Sequence, residues 1–329
     1  MSEQGSGGSW TFRRALAAVA AVVVLGLGAS LVVACDPTST PPAPTTTTVG
    51  PTTTIRPATC RGTGYVATRD VRYRSVSGVD PNLLALDHYR PVRPSGCGPA
   101  PIVVYVHGGG FSVGDKGNKI TDKAKVFTAE GWAFVSVNYR LSTDASVRYP
   151  THEQDVATAI AWIRSHAASF DGDPTRILLI GHSSGAFLVS LLSTDTSFLT
   201  GAGVPLASVR CTAALDTEYD VSDQVAQGGS QERLYRNAFG DDPATWAVGS
   251  PMNHTAVGAA RPRFLVYTRG ASRRIAQARA FGSALGAGGT SASVLDVSPL
   301  DHEEVNARVG APGDSLVTPA LLSFFRSCV

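Results

Sequence analysis

The chain is poor in lysine and nearly neutral overall. Four lysines, Lys116, Lys119, Lys123 and Lys125, stand against twenty-four arginines, and the 329 residues carry a formal net charge of only +2. No basic cluster is present of the kind that tracks a phosphate backbone, so no nucleic-acid partner is expected. Cysteine is sparse, with five residues. No group of Cys, His, Asp and Glu has metal-ligand spacing, so neither a metal nor an organic cofactor is expected. There is no internal repeat, which excludes a solenoid. One further lack is positional. The apolar run Phe264 to Tyr267 is followed by Thr268-Arg269-Gly270-Ala271-Ser272-Arg273-Arg274, a loop without a carboxylate.

Residues 1–34 have the layout of an export signal. Arg13 and Arg14 precede the apolar run Ala15 to Val33, and Val32-Val33-Ala34-Cys35 resembles a bacterial lipobox. Lipidation of Cys35 would make it the mature N-terminus. The alternatives are a plain secretory signal, or a membrane anchor, since the run approaches the ~20 residues that span a bilayer. Residues 35–59 are rich in Pro and Thr, have little to bury, and are expected to form an extended tether. The expectation is an exported protein, held outward by a lipid anchor or freely secreted. Cys60, Cys97, Cys211 and Cys328 fit disulfides in that compartment, with Cys60–Cys97 and Cys211–Cys328 the favoured pairing.

From Cys60 to Val329 short apolar runs alternate with helical periods, which predicts one α/β domain around a mostly parallel sheet with helices on both faces. Early antiparallel strands are expected at Tyr65–Tyr73 and Leu84–Tyr89. Further strands are expected at Pro101–Val106, Ala133–Asn138, Ile177–Ile180, Val209–Leu215, Phe264–Tyr267 and Ser293–Val297. Helices are expected at Thr121–Glu130, Thr151–Ala168, from Ala186 onward, and at Pro319–Phe325 with Thr318 as its cap.

Two glycine-rich motifs carry the chemistry. Gly181-His182-Ser183-Ser184-Gly185 fits G-x-S-x-G, a sharp strand-to-helix turn that presents a nucleophilic serine. His107-Gly108-Gly109-Gly110-Phe111 fits a loop whose backbone N–H groups meet a developing oxyanion. Ser183 is therefore the expected nucleophile, with the amides of Gly109, Gly110 and Ser184 as oxyanion donors. The expected general base is His302, just after the last strand. Among the other histidines, His107 belongs to the oxyanion loop, His182 flanks the nucleophile, and His254 is a candidate pocket residue. An imidazole base needs a carboxylate on Nδ1. The usual loop offers only Ser272, so the acid is expected one strand earlier, at Asp216 first and Asp220 second. Asp301 and Glu303 flank His302 and are poorly placed to reach its ring.

These residues, together with Val137-Asn138-Tyr139-Arg140-Leu141, Gln154-Asp155-Val156 and Asp171 to Ile177, resemble the α/β-hydrolase superfamily. Within it they are similar to bacterial carboxylesterases of the hormone-sensitive-lipase-like and feruloyl-esterase-like kind. The resemblance runs from about Pro101 to Val305. It implies structural roles for Asp155 and Asp173. The chain departs from the family in the missing acid and in the absence of a large N-terminal cap, which leaves Thr217 to Pro262 as the source of any lid.

The implied activity is hydrolysis of short-chain or soluble acyl esters through an acyl-enzyme, with a small ester as substrate. Two other readings compete. One is a catalytically weak hydrolase fold retained for binding at the envelope, and the other is amide or peptide cleavage by the same nucleophile.

Overall fold

The computed structural model describes residues 59–144, 146–256 and 261–329. The expected leader, Cys35 and nearly all of the tether lie outside the described residues. In chain order the elements are β1 (Gly64–Arg72), β2 (Ala85–Val92), β3 (Ala100–Val106), α1 (Thr121–Ala129), β4 (Ala133–Val137), α2 (Thr151–His166), β5 (Gly172–His182), α3 (Ser184–Thr194) and α4 (Ser197–Gly201). They continue with β6 (Val209–Leu215), α5 (Val221–Ala226), α6 (Gly229–Phe239), α7 (Pro243–Val248), β7 (Arg263–Thr268), α8 (Ser272–Ala287), β8 (Ala292–Asp296), α9 (His302–Ala307) and α10 (Thr318–Arg326).

The eight strands form one sheet in the order β1-β2-β4-β3-β5-β6-β7-β8. β1 pairs with β2, and β2 with β4, antiparallel; every later pairing is parallel. Central strands are apolar along their length because both faces are covered. All seven residues of β3 and all five of β4 are buried. One face packs Val104, Ile160, Ile163, Phe187 and Leu191 together, and the other packs Tyr105, Phe127, Phe134, Leu321 and Phe325. The edge strand β8 is half-exposed.

The sheet register prepares the site. His182 at the end of β5 pairs with Leu215 at the end of β6, and Leu215 pairs with Tyr267 in β7. Ser183, Asp216 and the chain after Thr268 therefore emerge side by side at the carboxyl edge, where parallel α/β sheets place their ligands.

Disulfides join Cys60 to Cys97 and Cys211 to Cys328. The second ties the end of the chain to β6. Two local expectations need correction. Thr318 is the first residue of α10 and not its cap. Asp314 accepts the N–H groups of Val317 and Thr318, while Thr318 Oγ1 donates to Arg308 O. α3 begins at Ser184, two residues earlier than expected, because the turn tightens directly into the helix.

Candidate active site

Ser183 sits between β5 and α3 with φ 54° and ψ −124°, a conformation that costs a non-glycine residue energy and persists only where its surroundings enforce it. The enforcing contacts are backbone. A Cβ on Gly181 would lie 2.2 Å from Gly185 O, and one on Gly185 would lie 2.1 Å from Val106 O. Both glycines are needed for close approach, which lets α3 start directly under the turn. The oxyanion loop is equally near. A Cβ on Gly108 would lie 2.9 Å from Ser183 Cβ.

Ser183 opens into a cavity of about 230 Å³ whose lining includes Gly110, Ser184, Thr217, Leu234, Tyr235 and His302. The N–H groups of Gly109, Gly110 and Ser184 have no backbone or side-chain acceptor among the described residues. Gly110 and Ser184 face the Ser183 cavity, whereas Gly109 lines a neighbouring cavity of about 440 Å³ with His107, Val113 and His182. A larger cavity of about 730 Å³ lies by Cys60, Trp132 and Val329 and holds none of the expected catalytic or oxyanion residues.

His302 opens α9, and its Nδ1 lies 2.6 Å from Asp216 Oδ2. Asp216, the first-ranked candidate for a displaced acid, is therefore the carboxylate that meets His302, and it too has a left-handed φ, of 51°. Its side chain is buried. Burial alone would raise its pKa. The hydrogen bond from His302 and the guanidiniums of Arg274 and Arg269 outweigh burial and hold it at about 2. Asp220 is elsewhere: it caps α5 by accepting the N–H of Asp223. Asp301 caps α9 in a capping box with Glu304, and Glu303 pairs with Lys119 at 2.5 Å.

The remaining histidines have defined places. His182 is buried, its Nε2 donates to His302 O at 2.8 Å, and the two rings are 4.5 Å apart. Burial, with His302 adding to it, lowers the His182 pKa to about 4, so this ring is a neutral brace. His107 stacks on Tyr139 at 4.6 Å. His254 contacts Val248 O and is not part of the cavity lining, contrary to expectation. Its ring is instead turned back onto the last carbonyl of α7. The group His182, His302 and Glu303 brings metal-ligand-type atoms within 4.8 Å of one another. It includes His302, the expected base, and His182 Nε2 and Glu303 are already committed to the partners above. Asp155 is buried and accepts from Arg140 Nε at 2.6 Å and Arg74 at 3.1 Å; Asp173 accepts from Arg176 at 2.6 Å. Both serve structure.

Sequence reasoning missed the cations around the acid. Arg269 Nε donates to Asp216 Oδ2 at 2.8 Å, Arg274 Nε to Oδ1 at 2.7 Å, and Arg274 also pairs with Glu218. Burial raises the Glu218 pKa, against the pull of Arg274. The signal was the three arginines in the loop that lacks a carboxylate.

Comparison with known proteins agrees with this architecture. The BD-FAE family model matches residues 86–231. The chain is 28% identical to Esterase LipQ of Mycobacterium tuberculosis over 214 residues, 62% of this chain and 50% of the relative. It is 35% identical to Esterase LipC of the same organism over 131 residues, 39% of this chain and 30% of the relative. The chain thus spans half or less of the length of these curated relatives. Among solved structures, Esterase B from Lactobacillus rhamnosis superposes with TM-score 0.67 at 19% identity, over 82% of this chain and 86% of that one. The fold is the α/β-hydrolase fold, with a mostly parallel sheet flanked by helices.

Proposed function

We propose that this chain is a serine carboxylesterase acting on short-chain or soluble acyl esters. The observation that carries the reading is the 2.6 Å contact between His302 Nδ1 and Asp216, in a cavity that also holds a strained Ser183. With Nδ1 bound to the carboxylate, Nε2 is the nitrogen left to take the Ser183 proton. Ser183 Oγ attacks the ester carbonyl. The N–H groups of Gly110 and Ser184, with Gly109 completing the loop, receive the oxyanion; such donors are typically worth about 3–4 kcal/mol each in the transition state. The alcohol leaves with the proton from His302. Water, deprotonated by His302 in turn, releases the acid from Ser183.

The 230 Å³ cavity, roofed by Leu234 and Tyr235 from α6, suits a short acyl chain. The esterase relatives support the reaction class. Residues 1–34 would direct export and Cys35 would carry the lipid, so that Cys35→Ser should release the protein from the membrane fraction.

The deciding experiment compares p-nitrophenyl acetate and butyrate hydrolysis by wild type, Ser183→Ala, Asp216→Asn and Asp220→Asn. Expected are loss of turnover in Ser183→Ala, a fall of about 10⁴ in kcat for Asp216→Asn, and little change for Asp220→Asn. Turnover that survives in Ser183→Ala would overturn the assignment.

A further inference from the structure

The loop after β7, where a carboxylate would ordinarily serve the base, delivers cations instead. Pairing of Leu215 with Tyr267 brings Arg269 out beside Asp216, and Arg274 follows in the first turn of α8. Between them they engage both carboxylate oxygens, and Arg274 Nη2 also donates to Asp216 O at 3.1 Å. A buried carboxylate with a single imidazole partner would have unsatisfied acceptor capacity, which is costly in a low-dielectric site. The arginines supply the missing donors. Arg269 and His302 share one atom, Asp216 Oδ2.

We propose that Arg269 and Arg274 are positioning residues for the displaced acid, and that Arg269 also sets the charge His302 meets at the carboxylate oxygen the two share. The proposal rests on the esterase reading above. Two acidic and two basic groups form a chain of ion pairs, in which Arg269 and Arg274 both meet Asp216 and Arg274 also meets Glu218. A proton added to His302 therefore meets a neutral cluster, not a lone anion. The other groups facing His302 change this little. His182 is kept neutral by burial, and Glu303 is balanced by Lys119.

The test is the pH profile of kcat/KM for p-nitrophenyl butyrate, from about pH 5 to about pH 9, which reports the free enzyme. In Arg269→Gln the acid limb should move upward by on the order of one pH unit, as one charge near the ring is removed. The kcat should fall by about tenfold or more through lost positioning, with KM little changed. Arg269→Lys keeps the charge and should restore the limb to its wild-type place. Glu218→Gln should move it downward. A reduced kcat with an unmoved limb in Arg269→Gln would overturn the proposal and leave Arg269 a structural residue. Should wild type lack Ser183-dependent turnover, the esterase reading fails separately. The clamp is then judged by NMR titration of the His302 ring, where equal midpoints in wild type and Arg269→Gln would refute it.

Discussion

Ser183 and Asp216 follow paired residues on adjacent strands and share a left-handed φ, 54° and 51°, yet the two turns are held by different physics. The nucleophile turn is held by shape. Gly181 and Gly185 leave no room for a methyl group, and the atoms they would strike are backbone oxygens. The acid turn is held by charge. Asp216 is fixed by His302, Arg269 and Arg274, which come from two distant parts of the chain. Shape is insensitive to pH. Charge is assembled from afar and fails when any member titrates or is lost.

The contrast is broken most severely at the shape-held end. Gly185→Ala should destabilise the fold by about 3 kcal/mol or more, because Val106 O and His107 O, at the buried end of β3, sit 2.1 and 2.5 Å from the new Cβ. Urea unfolding would show this, and a midpoint equal to wild type would mean that the turn is more yielding than the contacts require.

The charge-held end should instead show its weakness in acid. The folded-state pKa of Asp216, about 2, is below the ordinary unfolded value near 3.9. Its contribution is therefore full above about pH 4 and is lost as pH falls through about 2, on the order of 2 kcal/mol in all. Asp216→Asn lacks this titration, so its urea midpoint should fall less than that of wild type between about pH 5 and about pH 2.5. Parallel loss in both proteins would show that other carboxylates dominate.

The smallest effect is expected from Ser272→Asp, which returns an acid to the loop that lacks one. Ser272 is exposed at the start of α8. The new carboxylate should favour the helix N-terminus by about 0.3–1 kcal/mol and change kcat by less than about twofold, since Asp216 already occupies Nδ1. A large change in rate would mean that the two acids compete for His302.

Much of this was legible from residue order. The central strands were visible as buried apolar runs, and Val209–Leu215 falls on β6 without adjustment. The elbow and the oxyanion loop were visible because glycine spacing reports backbone crowding directly. The helices between Thr217 and Pro262 were not read individually. α5 and α7 have six residues each, too short to establish a period, and α6 is mostly polar. Its buried Tyr235, Ala238 and Phe239, with Leu234 beside them, are a helical signal that was available. The meeting of Asp216 with His302 was also foreshadowed, by an absence in one loop and a carboxylate in the loop before it. The choice between Asp216 and Asp220 was open until their partners were seen, because both are Asp residues in one loop, and only their contacts separate a carboxylate facing His302 from one capping α5.

By itself the sequence determined the elements, the nucleophile turn and the scarcity of acid after β7. Each of these is written in residue type and spacing over a few positions, as in the close approach of Gly181 to Gly185. Only the tertiary structure decided that Arg269 and Arg274 converge on Asp216 and that Arg269 shares an oxygen with His302. Compensation of a buried charge depends on which strands become neighbours. That adjacency is set by the parallel β6–β7 pairing across roughly fifty residues of intervening chain.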